Sequence, residues 1–264
     1  MCIRDRAYPG YTMRMFSDNA AKVLKEFVFT RPVTLSGGGM FPMGDDMKLM
    51  KGRIRFDASA GRVRYPLLGT TLDLGKAKGE ILISPQWVVV DKMKGTIWDG
   101  SFTGRVLAQI DDGDALNGSF VLQDMNLTSI GRSYGKKMEK ATVHGAIEFS
   151  SKGGNMNSIQ AKGEAALVHG DLVEIPLFGF LGEALSNYIP GLGHLINYKI
   201  TRADCDFSIE KGYIRTSNFS AKGSNMSLEG GGWIRLADLQ VNSDFKLGLR
   251  GLPGPVSYTH LTLP

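Results

Sequence analysis

The sequence predicts a mainly β protein built on one long, curved antiparallel sheet that forms an open groove, with two short helices. Apolar and polar residues alternate along many stretches, which is the pattern of strands with one buried face. Turns separate these stretches at spacings of roughly ten residues, and such short links do not suit the crossovers of a parallel sheet. The 34 glycines among 264 residues are about twice the usual share, which favours many short strands.

The first predicted helix runs from Ser17 to Phe27, near the start of the chain. Ser17, Asp18 and Asn19 can cap its first turn, because their side chains accept hydrogen bonds from free backbone amides. Apolar residues then recur at helical spacing, and Pro32 ends the segment.

Strands are predicted along most of the chain that follows. The clearest runs from Gly95 to Ile110, where Trp98, Phe102 and Val106 fall on one face and polar residues on the other. The other upstream strands are predicted over Gly52 to Asp57, Gly61 to Leu68, Leu72 to Lys76, Glu80 to Asp91, Phe120 to Leu127, Ala141 to Ser150 and Ile159 to Val173.

The later part of the chain combines strands with a second predicted helix, Leu177 to Tyr188, whose apolar residues follow helical spacing. Strict alternation predicts a strand over Ala203 to Glu210, with Phe207 and Ile209 on its apolar face. A final strand places these apolar residues on one face: Leu239, Val241, Phe245 and Leu247.

Several glycine-containing segments are interpreted as turns, because glycine adopts positive φ angles without strain. Reversals are predicted at Gly37 to Gly39, Asn117-Gly118, Glu210 to Gly212 and Glu229 to Gly232. These four positions set the predicted ends of the strands beside them.

Two segments and the strand after them resemble a known family. The segments are KGEAALVHGDLVEIPLFGFLGEAL and ITRADCDFSIEKGYIRTSNFSAKGSNMSLEGGGWIRL. Their order is similar to the C-terminal region of the AsmA-like family of bacterial envelope proteins. The shared elements are a glycine-led strand at Gly163, the entry to a short helix at Ile175, the F-x-I-x-x-G-x-I motif from Phe207 to Ile214, and a glycine-containing strand from Gly230 to Ile234.

The resemblance implies a cell-envelope protein whose apolar β-groove carries phospholipid between the inner and outer membranes. It implies phospholipid as the ligand, membranes at the ends of the intact protein, and a periplasmic location with an inner-membrane anchor in an N-terminal helix outside this sequence. Neither enzyme activity nor a cofactor is expected. The alternative is a structural or assembly module of the envelope that conducts no lipid.

Eight apolar positions are the candidates for lining such a groove. They are Trp98, Phe102, Val106, Phe207, Ile209, Leu239, Val241 and Phe245. A strand with one apolar face needs a second layer to cover that face. Either the sheet folds on itself as a sandwich or barrel, so that these residues form a sealed core, or it stays open and something other than protein covers them.

Composition and motifs argue against other classes of protein. The net charge of +5 is spread along the strands, without the clustered basic stripe that binds nucleic acid. His144, His169 and His194 lack the close spacing of zinc ligands, and Asp111 to Asp114 lacks the distal glutamate of a calcium loop. No catalytic motif or recurring acid cluster supports an enzyme, including a polysaccharide-acting one. Cys205 is expected to act as a small hydrophobic residue.

The two ends of the sequence do not resemble protein. Met1 to Arg6 and Val256 to Pro264 are similar to translated sequencing-adapter sequence, which occurs at the ends of metagenomic reading frames. We expect both segments to pack against nothing. Residues 7–255 are expected to be the AsmA-like β-groove region of a longer protein.

Overall fold

The computed structural model describes the chain in segments. They are residues 2–7, 28–40, 51–67, 70–109, 115–133, 135, 137, 140–152, 158–171, 199–223, 226–237, 240–249 and 256–263. Both predicted helices, Ser17 to Phe27 and Leu177 to Tyr188, lie outside these residues.

The predicted fold class is confirmed: the chain is mainly β and forms one large, open antiparallel sheet. The strands are β1 (Cys2–Ala7), β2 (Val28–Phe29), β3 (Val33–Met40), β4 (Lys51–Asp57), β5 (Val63–Leu67), β6 (Thr70–Ile83), β7 (Trp87–Ile97), β8 (Gly100–Gln109), β9 (Leu116–Asn126), β10 (Thr142–Ser151), β11 (Gln160–Asp171), β12 (Lys199–Glu210), β13 (Tyr213–Gly223), β14 (Met226–Arg235), β15 (Val241–Leu249) and β16 (Val256–Leu263).

Strand order in the sheet follows the chain closely. In the described part of the chain it is β1-β3-β4-β6-β7-β8-β9-β10-β11-β12-β13-β14-β15-β16, with β5 beside β6 and β2 beside β5 off this path. The strands β1 and β16 at the two ends of this order are not neighbours, so the sheet does not close on itself. Contacts between the described strands are made mainly by sheet neighbours rather than by strands stacked face to face.

The chain forms two compact units. The first is Met1–Gln123 with Glu148–Asn155, and the second is Asp124–Ile147 with Met156–Pro264. The first unit has a small core in which Val33, Ala58, Val63 and Ala77 are buried, with Phe29, Leu35, Phe56 and Leu74 packed against them. The second unit has a buried row across four neighbouring strands: Leu167, Ala203, Ala221 and Leu228.

Among the described residues, two hairpin turns have both central residues in the left-handed region. Lys211 and Gly212 (φ 51° and 76°) connect β12 to β13, which confirms the predicted reversal there. Trp98 and Asp99 (φ 48° and 62°) connect β7 to β8, as in the type I′ turns that match the twist of a hairpin. The prediction of one strand from Gly95 to Ile110 is therefore wrong, since the chain reverses inside it.

The other three predicted glycine reversals are wrong. Gly37 to Gly39 lie inside β3, Asn117-Gly118 inside β9 and Glu229 to Gly232 inside β14. Their glycines are needed for close approach between strands. A Cβ at Gly37 would lie 2.1 Å from the Arg53 carbonyl oxygen, closer than any van der Waals contact. The predicted strand Glu80 to Asp91 is interrupted by a turn after Ile83. Ser84 and Trp87 exchange hydrogen bonds in this turn.

One helix lies in the described residues, and it was not predicted from the sequence. Helix α1 (Leu127–Ser133) follows β9 directly. The Asn126 side-chain oxygen accepts a 2.9 Å hydrogen bond from the Thr128 amide, which satisfies one of the free donors at a helix start. The signal in the sequence was this capping asparagine, but Asn126 falls inside the predicted strand Phe120 to Leu127, and no element was predicted over residues 128–133.

The expectation that both ends pack against nothing is wrong for the backbone. β1 pairs with β3 from Cys2 opposite Gly38 to Ala7 opposite Val33, and β16 pairs with β15. The physical reason is that an edge strand presents unpaired amides and carbonyls, which an extended segment can satisfy whatever its side chains are. The origin of these segments as adapter-derived sequence stays a prediction.

Removing Val256 to Pro264 should therefore speed hydrogen exchange in β15 and leave β13 protected. The deletion frees the β15 amides that pair with β16, while β13 keeps both of its neighbours. Exchange measured residue by residue by NMR would show this difference. Unchanged protection throughout β15 would mean that β16 does not pair with it in solution.

Candidate functional site

The first unit has one mostly apolar side, which we call the apolar face of this unit. Residues directly opposite each other in a sheet point to the same side, and the register places Ile54, Ile81, Val90 and Val106 in one row across β4, β6, β7 and β8. The same side of the sheet bears Phe102, with Phe56 and Phe120 on other strands. Apolar residues thus follow one another across successive strands without interruption.

The phenylalanines of this face stand opposite glycines. The pairs are Phe56 with Gly79, Phe102 with Gly95 and Phe120 with Gly104. A Cβ added to these glycines would lie 2.8, 2.7 and 2.4 Å, respectively, from the nearest ring atom. Each ring therefore lies against the backbone of the neighbouring strand, in space that any side chain there would fill. This cross-strand arrangement covers the exposed glycine backbone with an aromatic ring.

Ring contacts continue the series to β10. Phe120 meets Phe102 edge to face at 6.4 Å between ring centroids, and stacks in parallel on Phe149 at 6.0 Å. Phe149 in turn lies over Gly118, where an added Cβ would be 2.5 Å from Cζ of the ring. Aromatic pairs at these distances stabilise a fold beyond the area that they bury.

The second unit has the same pairing of phenylalanine rings with glycines on the neighbouring strand. Phe207 lies opposite Gly163, and an added Cβ there would be 2.5 Å from Cζ of its ring. Gly230 of β14 has Phe219 opposite on one side and Phe245 on the other. The two rings meet edge to face at 5.5 Å across that glycine. The apolar face of the second unit is the side that bears these rings.

Exposure varies along this second apolar face. Leu167, Ala203, Ala221 and Leu228 form the buried row described above. Ile209, Ile214 and Ile234 form a parallel row across β12, β13 and β14, and all three are only half-buried. The aliphatic row thus keeps surface that a further apolar group could cover.

The structure distributes the eight predicted residues between the two units. Phe102 and Val106 lie on the apolar face of the first unit, with Phe102 only 5% exposed and Val106 half-buried. Trp98 lies in the β7–β8 turn and not on a strand, because the chain reverses there. Phe207, Ile209 and Phe245 lie half-buried on the apolar face of the second unit. Val241 pairs with Ile234 through its backbone, and Leu239 lies outside the described residues.

Several aromatic and aliphatic residues on these faces were not among the eight predicted groove positions. They include Phe56, Phe120, Phe149, Phe219, Ile214 and Ile234. A usable signal was present, since each aromatic strand has a glycine-bearing strand beside it. Without the register, however, no particular phenylalanine can be matched to a particular glycine.

Cys205 lies on the apolar face of β12, opposite Ala165, as its strand alternation predicts. Burial raises the pKa of its thiol, and the carboxylates of Asp206 and Asp204 raise it further. The thiol therefore stays protonated at neutral pH, and only the thiolate is a nucleophile or metal ligand. The residue acts as a small hydrophobic side chain.

Two specific features are absent from the described segments. They contain no group of three or more metal-ligating side chains, and none of their helices is long and apolar enough to span a membrane.

Comparison with known proteins identifies no relative. The chain matches no protein-family model, no curated protein and no solved structure. The AsmA-like resemblance therefore stays a prediction from the sequence.

Gly95→Ala should destabilise the first unit by about 1–3 kcal/mol, the usual cost of overpacking, because the new Cβ meets the Phe102 ring. Combining it with Phe102→Leu should cost less than the sum of the two single changes by at least about 0.5 kcal/mol. Urea unfolding of the four proteins measures this coupling. Additive effects would show that the ring does not occupy the space above Gly95.

Phe102→Asp should destabilise the fold by about 3 kcal/mol or more, because it buries an unpaired carboxylate. Ser101→Asp is the matched control on the neighbouring, exposed position, and should change stability by no more than about 0.5 kcal/mol. Thermal unfolding followed by circular dichroism compares the two. Equal tolerance of both changes would contradict the burial of Phe102.

Proposed function

We propose that the chain is part of an AsmA-like bacterial envelope protein whose apolar sheet face carries phospholipid between the inner and outer membranes. The supporting observation is an open sheet in which each of the two units has an apolar face, with residues on both faces that remain half-exposed in the described part of the chain. A sheet of this kind favours a non-protein apolar ligand, because a strand face with apolar residues needs a cover.

Lipid transfer along such a face requires no catalytic group. Each acyl CH₂ moved from water to an apolar surface contributes about 0.8 kcal/mol, so the tails gain by lying on the face while the headgroup stays in water. Strands are about 4.8 Å apart, so each further strand extends the apolar path by that distance. Transport is then movement along a surface that is similar from strand to strand.

The row of Ile209, Ile214 and Ile234 is the best candidate for acyl contact in the described residues. Its three side chains share one side of neighbouring strands and are half-buried. The row spans about 10 Å across three strands. Phe102 supports the sheet instead, since a ring that is 5% exposed has little surface left for a ligand.

The aromatic rings keep the apolar face of the second unit flat. Because Phe207 and Phe245 lie over Gly163 and Gly230, their rings lie close to the sheet backbone rather than standing far above it. A flattened apolar surface lets a flexible chain slide across strands without meeting a high barrier. We therefore assign the ring-on-glycine pairs a supporting role beneath the lipid.

Wild-type protein purified from bacterial cells should contain bound phospholipid. Ile209→Asp should lower the amount of bound lipid at least about tenfold, since placing a carboxylate against hydrocarbon is unfavourable. Ser208→Asp is the matched control on the other side of the same strand, opposite Arg215, and should leave lipid content unchanged. Native mass spectrometry measures lipid per protein, and circular dichroism checks that both variants fold.

Two results would contradict the proposal. Folded wild-type protein that carries no lipid would favour a structural or assembly module of the envelope. Equal loss of lipid in both variants would show that binding does not depend on the apolar side of β12.

A further inference from the structure

The side of the first unit opposite its apolar face carries a depression with a volume of about 860 Å³. We call this side the polar face of the first unit. Residues from β4, β6 and β7 form its charged centre, among them Arg55, Lys78, Glu80 and Lys94. Hydroxyl side chains lie around it, including Thr103 and Ser119. The volume is within the range of small-molecule sites in proteins.

An extra residue in β7 shapes the centre of this depression. Lys94 lies opposite Lys78 and Asp91 opposite Glu80, so β7 advances three residues where β6 advances two. The same bulge appears against β8, between Val90 and Met93. Lys92, within the bulge, has a φ of 51°, a strained left-handed conformation for a residue with a side chain.

The bulge gathers charge on one side of the sheet. Regular alternation would send Asp91 to one face and Lys92 and Lys94 to the other. With the extra residue, all three line the depression. Bulges that re-aim side chains in this way are frequent beside functional sites, and backbone strain at such a position supports a functional interpretation.

Two acidic residues of the depression, Glu80 and Asp91, form ion pairs with basic residues. Glu80 binds Arg55 at 3.2 Å and Lys92 at 3.4 Å, and Asp91 binds Arg105 at 3.7 Å. Burial raises the pKa of the Glu80 carboxyl, but the hydrogen bonds from Lys92 and Arg55 outweigh it and hold that pKa below its usual range. The Glu80 carboxylate is therefore ionised and paired at neutral pH.

Lys78 and Lys94 are left as a pair of like charges. They stand directly opposite each other on β6 and β7, an arrangement that destabilises a sheet. Asp57 stands on the far side of Lys78 and accepts a 2.8 Å hydrogen bond from the Ser59 amide. Hydrogen bonds from Ser59 lower the pKa of the Asp57 carboxyl, and the charge of Lys78 lowers it further. None of the ion pairs among the described residues includes Lys78 or Lys94. The neighbour of Lys94 on β8 is the hydroxyl-bearing Thr103.

We propose that Lys78 and Lys94 form a phosphate-binding site in this depression, with Thr103 as an additional hydrogen-bond donor. Two ammonium groups on adjacent strands can reach one anion and relieve their mutual repulsion, and lysine is a common ligand for phosphate. The depression is much larger than a phosphate ion, so the phosphate is the terminal group of a larger molecule. The site lies on the side of the first unit opposite that unit's apolar face, and it does not depend on the proposed lipid binding.

A terminal phosphate has two possible sources, a soluble phosphate ester or a lipid headgroup. The whole chain is therefore titrated calorimetrically with inorganic phosphate and glucose 6-phosphate, and sedimented with phosphatidylcholine vesicles with and without phosphatidic acid. Binding of a soluble probe supports a soluble ester. Binding confined to vesicles that contain phosphatidic acid supports a headgroup.

Lys94→Gln and Lys78→Gln should each weaken the observed binding by at least about tenfold, the effect of losing one charged hydrogen bond. Lys222→Gln, at an exposed lysine of the second unit, is the matched control and should bind as the wild type does. Phosphate should raise the melting temperature of the wild type and leave that of folded Lys94→Gln unchanged. Ile209→Asp should bind phosphate normally, which separates this proposal from the lipid one.

The proposal is overturned if no probe binds the wild type, or if Lys94→Gln and Lys222→Gln bind equally well. Removing one of two opposed charges should not destabilise the sheet, so Lys94→Gln should melt at or above the wild-type temperature in phosphate-free buffer. That result would show that the variant loses phosphate binding without losing its fold.

Discussion

The structure depends on one repeated contact, a phenylalanine ring laid over a glycine on the adjacent strand. A sheet without a second layer in its described part has few ways to bury apolar surface, and this contact buries a ring against the sheet's own backbone. Phe102 over Gly95 shows how completely such a contact can bury a ring, since Phe102 is only 5% exposed. The contact joins neighbouring strands in pairs, so each strand is held by the next. It also reduces the apolar area that a second layer would have to cover.

The same contact explains the composition. Glycine is unfavourable inside strands because it costs conformational entropy and offers no side chain to pack. Here that cost is offset by the ring that occupies the vacant space, as at Gly163 beneath Phe207. The high glycine content therefore reflects contacts between strands as well as turns. On the polar face of the first unit, Glu80 pairs with Arg55 and Lys92.

The fold class followed from the sequence because period-two alternation survives in nearly every strand. The reversal at Lys211-Gly212 followed as well, since glycine there has the positive φ that its turn requires. Gly37 and Gly230 were wrongly predicted to lie in turns, because composition alone does not separate a turn glycine from one facing a neighbouring strand. The Trp98-Asp99 turn was missed because its first central residue is not one that tight turns usually use.

The candidate sites were harder to predict than the fold. Phe207, Ile209 and Phe245 were found because alternation reports the apolar side of a strand. Their partners and their exposure depend on register, which one sequence does not supply. The opposed Lys78 and Lys94 depend on a bulge in β7, and nothing in the local sequence marks the extra residue. A bulge of one residue moves every later side chain to the other face.

The central claim is that acyl chains lie on the apolar side of the sheet, and crosslinking in living bacteria tests it most directly. A photoreactive amino acid is placed in turn at Phe207, Ser208, Ile209 and Glu210 of β12, the protein is irradiated in cells, and attached phospholipid is identified by mass spectrometry. The account predicts lipid adducts at Phe207 and Ile209 and none at Ser208 and Glu210. Adducts at all four positions, or at none, would contradict it.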